Sequence, residues 1–173
     1  MKVGKVSWFC VLFVVFFAHV AIGKTIYSKH FKFKVEIPVT FIKVTDTTGT
    51  VEGEVYFDTN EKIVLLVTKA ESKYKSVKDY LDCSRVQLEN ELRISYADTG
   101  LHLVSCNRSP SYTDKIVVLN IEITVLPSVY KQSVIYFIHH KGNDVQFSFM
   151  IRKEQAAHCL PIIQEVMKTL ELI

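Results

Sequence analysis

The sequence predicts an α+β fold, a mainly antiparallel sheet flanked by two helices. Three observations carry that reading. Several segments alternate apolar and polar residues with the two-residue period of half-buried strands. Two others repeat their apolar residues at three- and four-residue spacing, as amphipathic helices do. Nothing rich in Pro, Gly or Ser divides the 173 residues, so one domain suffices. A content of 49% hydrophobic and 23% charged residues, with only six Gly and four Pro, excludes disordered and collagen-like chains.

The first 23 residues read as a signal peptide. Lys2 and Lys5 form a short basic region, Trp8 to Val20 is almost continuously apolar, and Ala21-Ile22-Gly23 supplies small residues before a cleavage site. The apolar run falls short of the roughly 20 residues that cross a bilayer, and His19 interrupts it. Cleavage after Gly23 is expected, leaving residues 24–173 as a single domain that is secreted or periplasmic. The only Trp, Trp8, leaves with the leader. The membrane is a partner only if the leader stays uncleaved.

Strands come first in the remainder. Phe31, Phe33, Val35 and Ile37 alternate with Lys32, Lys34 and Glu36, and the strand ends at Pro38. A polar loop spans Thr45 to Thr50. Val51 to Phe57 and Ile63 to Thr68 follow, joined by the turn Asp58-Thr59-Asn60-Glu61. Ile63 to Val67 is apolar at every position, which predicts a central strand covered on both faces. A helix begins at Ser76, with Asp79 completing a capping box. Val77, Tyr80, Leu81, Ser84, Leu88 and Leu92 form its stripe.

Four further strands are predicted: Leu101 to Cys106, Ile116 to Leu126, Ser133 to His140 and Val145 to Arg152. The last two flank Lys141-Gly142-Asn143-Asp144, whose Gly-Asn centre fits a tight hairpin. A second helix closes the chain with the stripe Ala156, Leu160, Ile163, Met167 and Leu170. Pro161 forces an irregular first turn there.

This order of elements resembles the PsbP-like superfamily, an α/β/α sandwich named for an extrinsic protein of photosystem II. The superfamily also includes a Ran-binding nuclear-import factor and many exported bacterial proteins. Phe31-Lys-Phe-Lys-Val-Glu-Ile-Pro38, Ser76-Val-Lys-Asp-Tyr-Leu81 and the hairpin plus closing helix from Tyr136 to Leu172 carry the likeness. The resemblance implies a PsbP-like sandwich and an accessory role, and it transfers no active-site residue, because the superfamily shares a shape without a common site.

Local chemistry is sparse. Beyond Gly23 lie five His and three Cys. His139 and His140 are adjacent on a strand and point to opposite faces. His102 and Cys106 share a face but stand roughly 13 Å apart. No Cys-x-x-Cys or His-x-x-x-His spacing supports zinc, no Gly-rich loop cradles phosphate and no Gly-x-Ser-x-Gly elbow presents a nucleophile. Neither cofactor nor metal is expected. The odd count of Cys83, Cys106 and Cys159 allows at most one bridge, in any of three pairings. On a continuous helix Cys83 falls about 130–140° from the buried stripe, so no disulfide is expected, and Cys159 reads as a buried thiol.

Charge points the same way. The formal +3 includes Lys2 and Lys5, and without them 19 Lys and Arg face 18 Asp and Glu, which removes the case for nucleic acid. Lys69, Lys73, Lys75 and Lys78, with Tyr74 and Tyr80 interleaved, form a local basic patch, and Lys24, Lys29, Lys32 and Lys34 a basic opening strand. The expected function is an exported, non-catalytic accessory domain that binds a protein or envelope component, with that patch one route to it. Two alternatives stand beside it: a small enzyme assembled around Cys106, His102 and His139, and a carrier of an apolar ligand between helix and sheet.

Overall fold

A computed structural model describes residues 22–29, 31–44, 53–60, 63–70, 73–112, 114–124, 131–140 and 142–173. The segment expected to be a leader, up to residue 21, the expected loop at 45–50 and Val125 lie outside them. The first strand, β1 (Ile22–Ser28), pairs with β2 (Phe33–Pro38), which also pairs with the short closing strand β10 (Glu171–Leu172). The expected cleavage point after Gly23 falls at the irregular start of β1, where the register shifts between Ile22 and Lys24.

The main sheet has seven strands in the order β3 (Phe41–Val44), β4 (Gly53–Asp58), β5 (Val64–Lys69), β9 (Asn143–Ile151), β8 (Gln132–His140), β7 (Ile116–Glu122), β6 (His102–Arg108). Every neighbouring pair is antiparallel. The α+β expectation holds. β1, β3 and β10 were not predicted, since four residues or fewer of clean alternation leave little period to read.

Each face of the main sheet carries its own core. On the first face, Ile63, Leu65, Val67, Phe147, Phe149 and Ile151 pack with the small sheet and with α3 (Ala156–Lys168). On the second, Val117, Leu119, Ile121, Ile135 and Phe137 pack under α1 (Val77–Asp82) and α2 (Arg85–Ser95). Hence β8 is the strand covered on both sides: Val134, Tyr136 and Ile138 enter one core, Ile135 and Phe137 the other. This corrects the expectation for Ile63 to Val67. There Ile63, Leu65 and Val67 are buried, whereas Val64 and Leu66 are only half-buried.

The predicted single helix is two. Ser76 caps α1 with the expected box: Asp79 N–H donates to Ser76 Oγ (3.2 Å), and Ser76 N–H to Asp79 Oδ2 (2.9 Å). The chain then becomes extended at Cys83 and Ser84, and Ser84 Oγ accepts from Gln87 N–H to cap α2. Ser84 was assigned to the apolar stripe; its competence as an N-cap is what breaks the helix. The end of α2 is a Schellman motif, with Ala97 N–H on Ile94 O and Asp98 N–H on Arg93 O. Ala97 occupies the left-handed position (φ 49°) that glycine usually takes.

Two smaller corrections follow from geometry. In the β8–β9 hairpin His140 faces Asn143, so strand pairing already includes Asn143, which was expected at the centre of the turn. Gly142 supplies the positive φ, 76°, that so tight a turn needs. Lys153–Gln155 forms a 3-10 turn ahead of α3, and Pro161 lies inside the helix itself, six residues beyond that turn. The buried stripe of α3 is Cys159, Ile162, Ile163, Val166 and Met167, displaced from the predicted one by about 50° around the helix, and Ala156 and Leu160 are only partly buried.

Candidate functional site

The second face of the main sheet is finished on one half only. Over β8, β7 and β6 lie α1 and α2, and the cover ends on β9, where Gln146 donates to Tyr96 Oη at the end of α2 (3.2 Å) and to Ser148 Oγ (2.7 Å). Beyond that line the face is apolar and open. Its rows follow the register: Ile42 beside Phe57, then Val64, then Met150; Val44 beside Val55, then Leu66. Ile42 is 55% and Val44 46% exposed, and the other five are half-buried. Among the described residues no helix covers this wing. On the opposite face of the same strands Lys43 pairs with Glu54 (2.8 Å), whose other oxygen accepts from Tyr56 Oη (3.1 Å). Burial, with the Glu54 charge beside it, pushes the Tyr56 phenol well above its usual range.

The basic patch is mixed in sign. Lys73 pairs with Glu91 (2.5 Å), Lys75 with Asp144 (3.9 Å) and Lys78 with Asp82 (4.0 Å), and Lys69 ends β5. Carboxylates standing beside three of its four lysines cancel most of the local field.

The three residues of the enzyme alternative are dispersed. His102 Nδ1 lies 2.9 Å from Glu89 Oε2 at the far end of β6 from Cys106. Glu89 ties α2 to β6: Oε2 accepts from Leu103 N–H (2.7 Å) and Oε1 from Arg93 (2.7 Å). Those donors hold its carboxyl below the usual carboxylate range, the Leu103 N–H contributing most. Cys106 faces Leu119, which faces Ile135, four residues before His139. Strand spacing then puts Cys106 and His139 roughly 16 Å apart along the sheet. His139 is enclosed instead by Tyr80, at 5.9 Å between ring centroids, and by Asp144 on Nδ1 (3.0 Å). Its Nε2 is buried and has no hydrogen-bond partner among the described residues. It packs under α1 as a core side chain with one oriented nitrogen. Among the described residues no group of three or more His, Cys, Asp or Glu could hold a metal ion.

Between α1, α2 and β6 lies a cavity of about 230 Å³. Tyr80, Leu81, Leu88 and Leu103 form its apolar wall, and Cys83, Arg85, Ser105 and Cys106 its polar side. Ligand pockets for drug-sized molecules span about 300–1,000 Å³, so this one is too small for an acyl chain. Arg85 donates to Leu103 O and Val104 O and clamps the start of α2 to β6. Cys83 Sγ contacts Tyr74 Oη at 2.9 Å. Burial pushes the Cys106 thiol up to about 11, and Cys83 adds to the shift. A thiol so raised carries little thiolate at neutral pH and reacts slowly there. The break at Cys83 overturns the continuous-helix argument that turned its side chain away from β6. The sequence does carry a signal for it, since Ser84-Arg-Val-Gln87 fits the Ser-x-x-Gln pattern of a helix start, although Ser84 also fits the apolar stripe.

No protein-family model and no curated protein matches the chain. Solved structures do. A cyanobacterial PsbP (CyanoP) from Synechocystis sp. PCC 6803 superimposes with a TM-score of 0.60 at 12% identity, over 87% of this chain and 92% of that one. A protein from Bacteroides thetaiotaomicron matches at 18% identity and TM-score 0.47, over 88% of this chain and 49% of that one. A Pseudomonas aeruginosa protein of unknown function matches at 16% and 0.47, over 87% and 99%. The last two scores carry no argument. The first, with the two-layered cover of one antiparallel sheet, establishes that this chain has a PsbP-like fold.

Proposed function

We propose that the chain is an exported binding domain without catalysis of its own, and that it docks a protein partner on the open wing of β3, β4 and β5. The carrying observation is the contiguous apolar row from Ile42 and Val44 to Met150, left uncovered where the rest of that face is roofed by helices. Apolar patches of this kind mark interaction surfaces. A protein suits the wing better than an anionic lipid surface does. Lipid binding needs clustered, unopposed lysines, and the lysines here stand beside carboxylates. Edge strand β3 adds backbone groups on which an extended partner segment can pair. Export rests on the leader of residues 1–23.

Site-specific photocrosslinking in the native organism tests this. A crosslinker at Ile42 or Leu66 should give one discrete protein adduct, and one at Val86, exposed on α2, should give none. The adduct should disappear when Val44→Glu is added. Equal adducts from both sites, or none from the wing, would overturn the docking surface. A new amino terminus at Lys24 in the exported fraction is the expected sign of processing, and a retained leader in a cytoplasmic protein would refute export.

A further inference from the structure

The geometry points to Cys83 and Cys106 as a dithiol site, oxidised to an intramolecular disulfide that joins the α1–α2 break to strand β6. Of the three pairings, only this one places both cysteines on the same face of the main sheet. Cys83 and Cys106 both line the 230 Å³ cavity and both pack against the core beneath α1 and α2. Cys159 is fully buried in α3, inside the core of the opposite face, with the sheet between.

The cavity gives the two sulfurs room to approach. Cys83 is held by no helical hydrogen-bond ladder, because its backbone is extended (φ −69°, ψ 138°) between two capped helices. It can therefore move toward β6 at the expense of its contact with Tyr74, while Cys106 stays fixed in the ladder with Leu119. Both side chains are of intermediate exposure, so a small oxidant reaches them. On β6 the register shift between Leu103 and Ser105 lies immediately before Cys106, a local bulge that re-aims side chains.

The oxidant is a disulfide, RS–SR, of the glutathione class. The Cys83 thiolate attacks one of its sulfurs, forms Cys83–S–S–R and releases RS⁻. The Cys106 thiolate then attacks Cys83 Sγ and displaces the second RS⁻. The protein loses two protons and two electrons, and the oxidant is reduced to two thiols. Cys83, on the break, is the first attacker, and the more enclosed Cys106 resolves the mixed disulfide.

The test equilibrates the full chain in glutathione buffers of increasing oxidation, traps thiols by alkylation and digests with trypsin. Cleavage after Lys78, Arg85, Arg93 and Arg108 places Cys83 in 79–85 and Cys106 in 94–108. A linked 79–85/94–108 pair should accumulate as both alkylated peptides disappear, while Cys159 remains alkylatable after unfolding. Cys83→Ser and Cys106→Ala should each abolish the linked pair, and Cys83→Ser should also abolish the transient glutathione adduct. Stable glutathione adducts without the linked pair, a pair containing Cys159, or disulfide-linked dimers as the main product would each overturn the assignment.

Discussion

Two halves of one sheet face have been finished in different ways. Over β6, β7 and β8 the second face is sealed by α1 and α2 and buries Leu119, Ile121 and Ile135 completely. Over β3, β4 and β5 strands of similar apolarity leave Ile42 and Val44 in solvent and Leu66 half-covered. The helices reach only as far as β9, since α2 ends in a Schellman motif and Tyr96 meets Gln146 there. Apolar side chains are thus necessary for a core but do not make one, because the covering element must also be long enough to reach. On this face the packed core lies under the sealed half, and the open half contributes its buried side chains to the opposite face.

The contrast predicts a steep difference in truncation cost. Leu88→Ala, beneath α2, should destabilise by about 2–5 kcal/mol in denaturant unfolding, and Leu66→Ala on the wing by only about 1 kcal/mol. Similar costs at both sites would mean that the wing is as well sealed as the rest. Ser84→Ala should cost about 1 kcal/mol and lower the helical signal of α2, since Gln87 N–H loses its acceptor. Ala97→Gly should act in the opposite direction, adding up to about 1 kcal/mol by relieving the left-handed backbone.

A pH series separates the halves further. Glu89 has a depressed folded-state pKa, so its contribution is present above the unfolded carboxylate value near about 4.3 and is lost as pH falls through the lower folded value. Glu89→Gln should flatten the acid limb of the stability curve, whereas Ile42→Ser should leave it unchanged. The smallest effect belongs to Ile42→Ser, within about 0.5 kcal/mol of the parent chain in stability and yet without the wing's crosslinked partner. A large loss of stability there would show that Ile42 serves the core.

Much of this was readable in local pattern. Alternation located β2, β7 and β9, because a half-buried strand writes its two faces into every second residue, and the adjoining turns located β4 and β8. The Ser76–Asp79 box located α1, because capping chemistry is confined to four neighbouring residues. The run Ile63 to Val67 misled for a physical reason. An apolar side chain on a strand records compatibility with burial, and whether anything lies above it depends on a helix elsewhere in the chain. For the same reason His139 could be named beside His102 and Cys106 but not separated from them: distance across a sheet follows from strand order, which no local window contains.

The α+β class, the antiparallel strands and the cap of the first helix were therefore present in the chain's own periodicity and turn chemistry, since these arise between residues close in sequence. Strand order, the choice of β8 over β5 as the doubly covered strand, the open wing and the cavity lined by both Cys83 and Cys106 came from the packed molecule. Each depends on which surface a distant element covers, and that competition is resolved only when the whole chain packs at once.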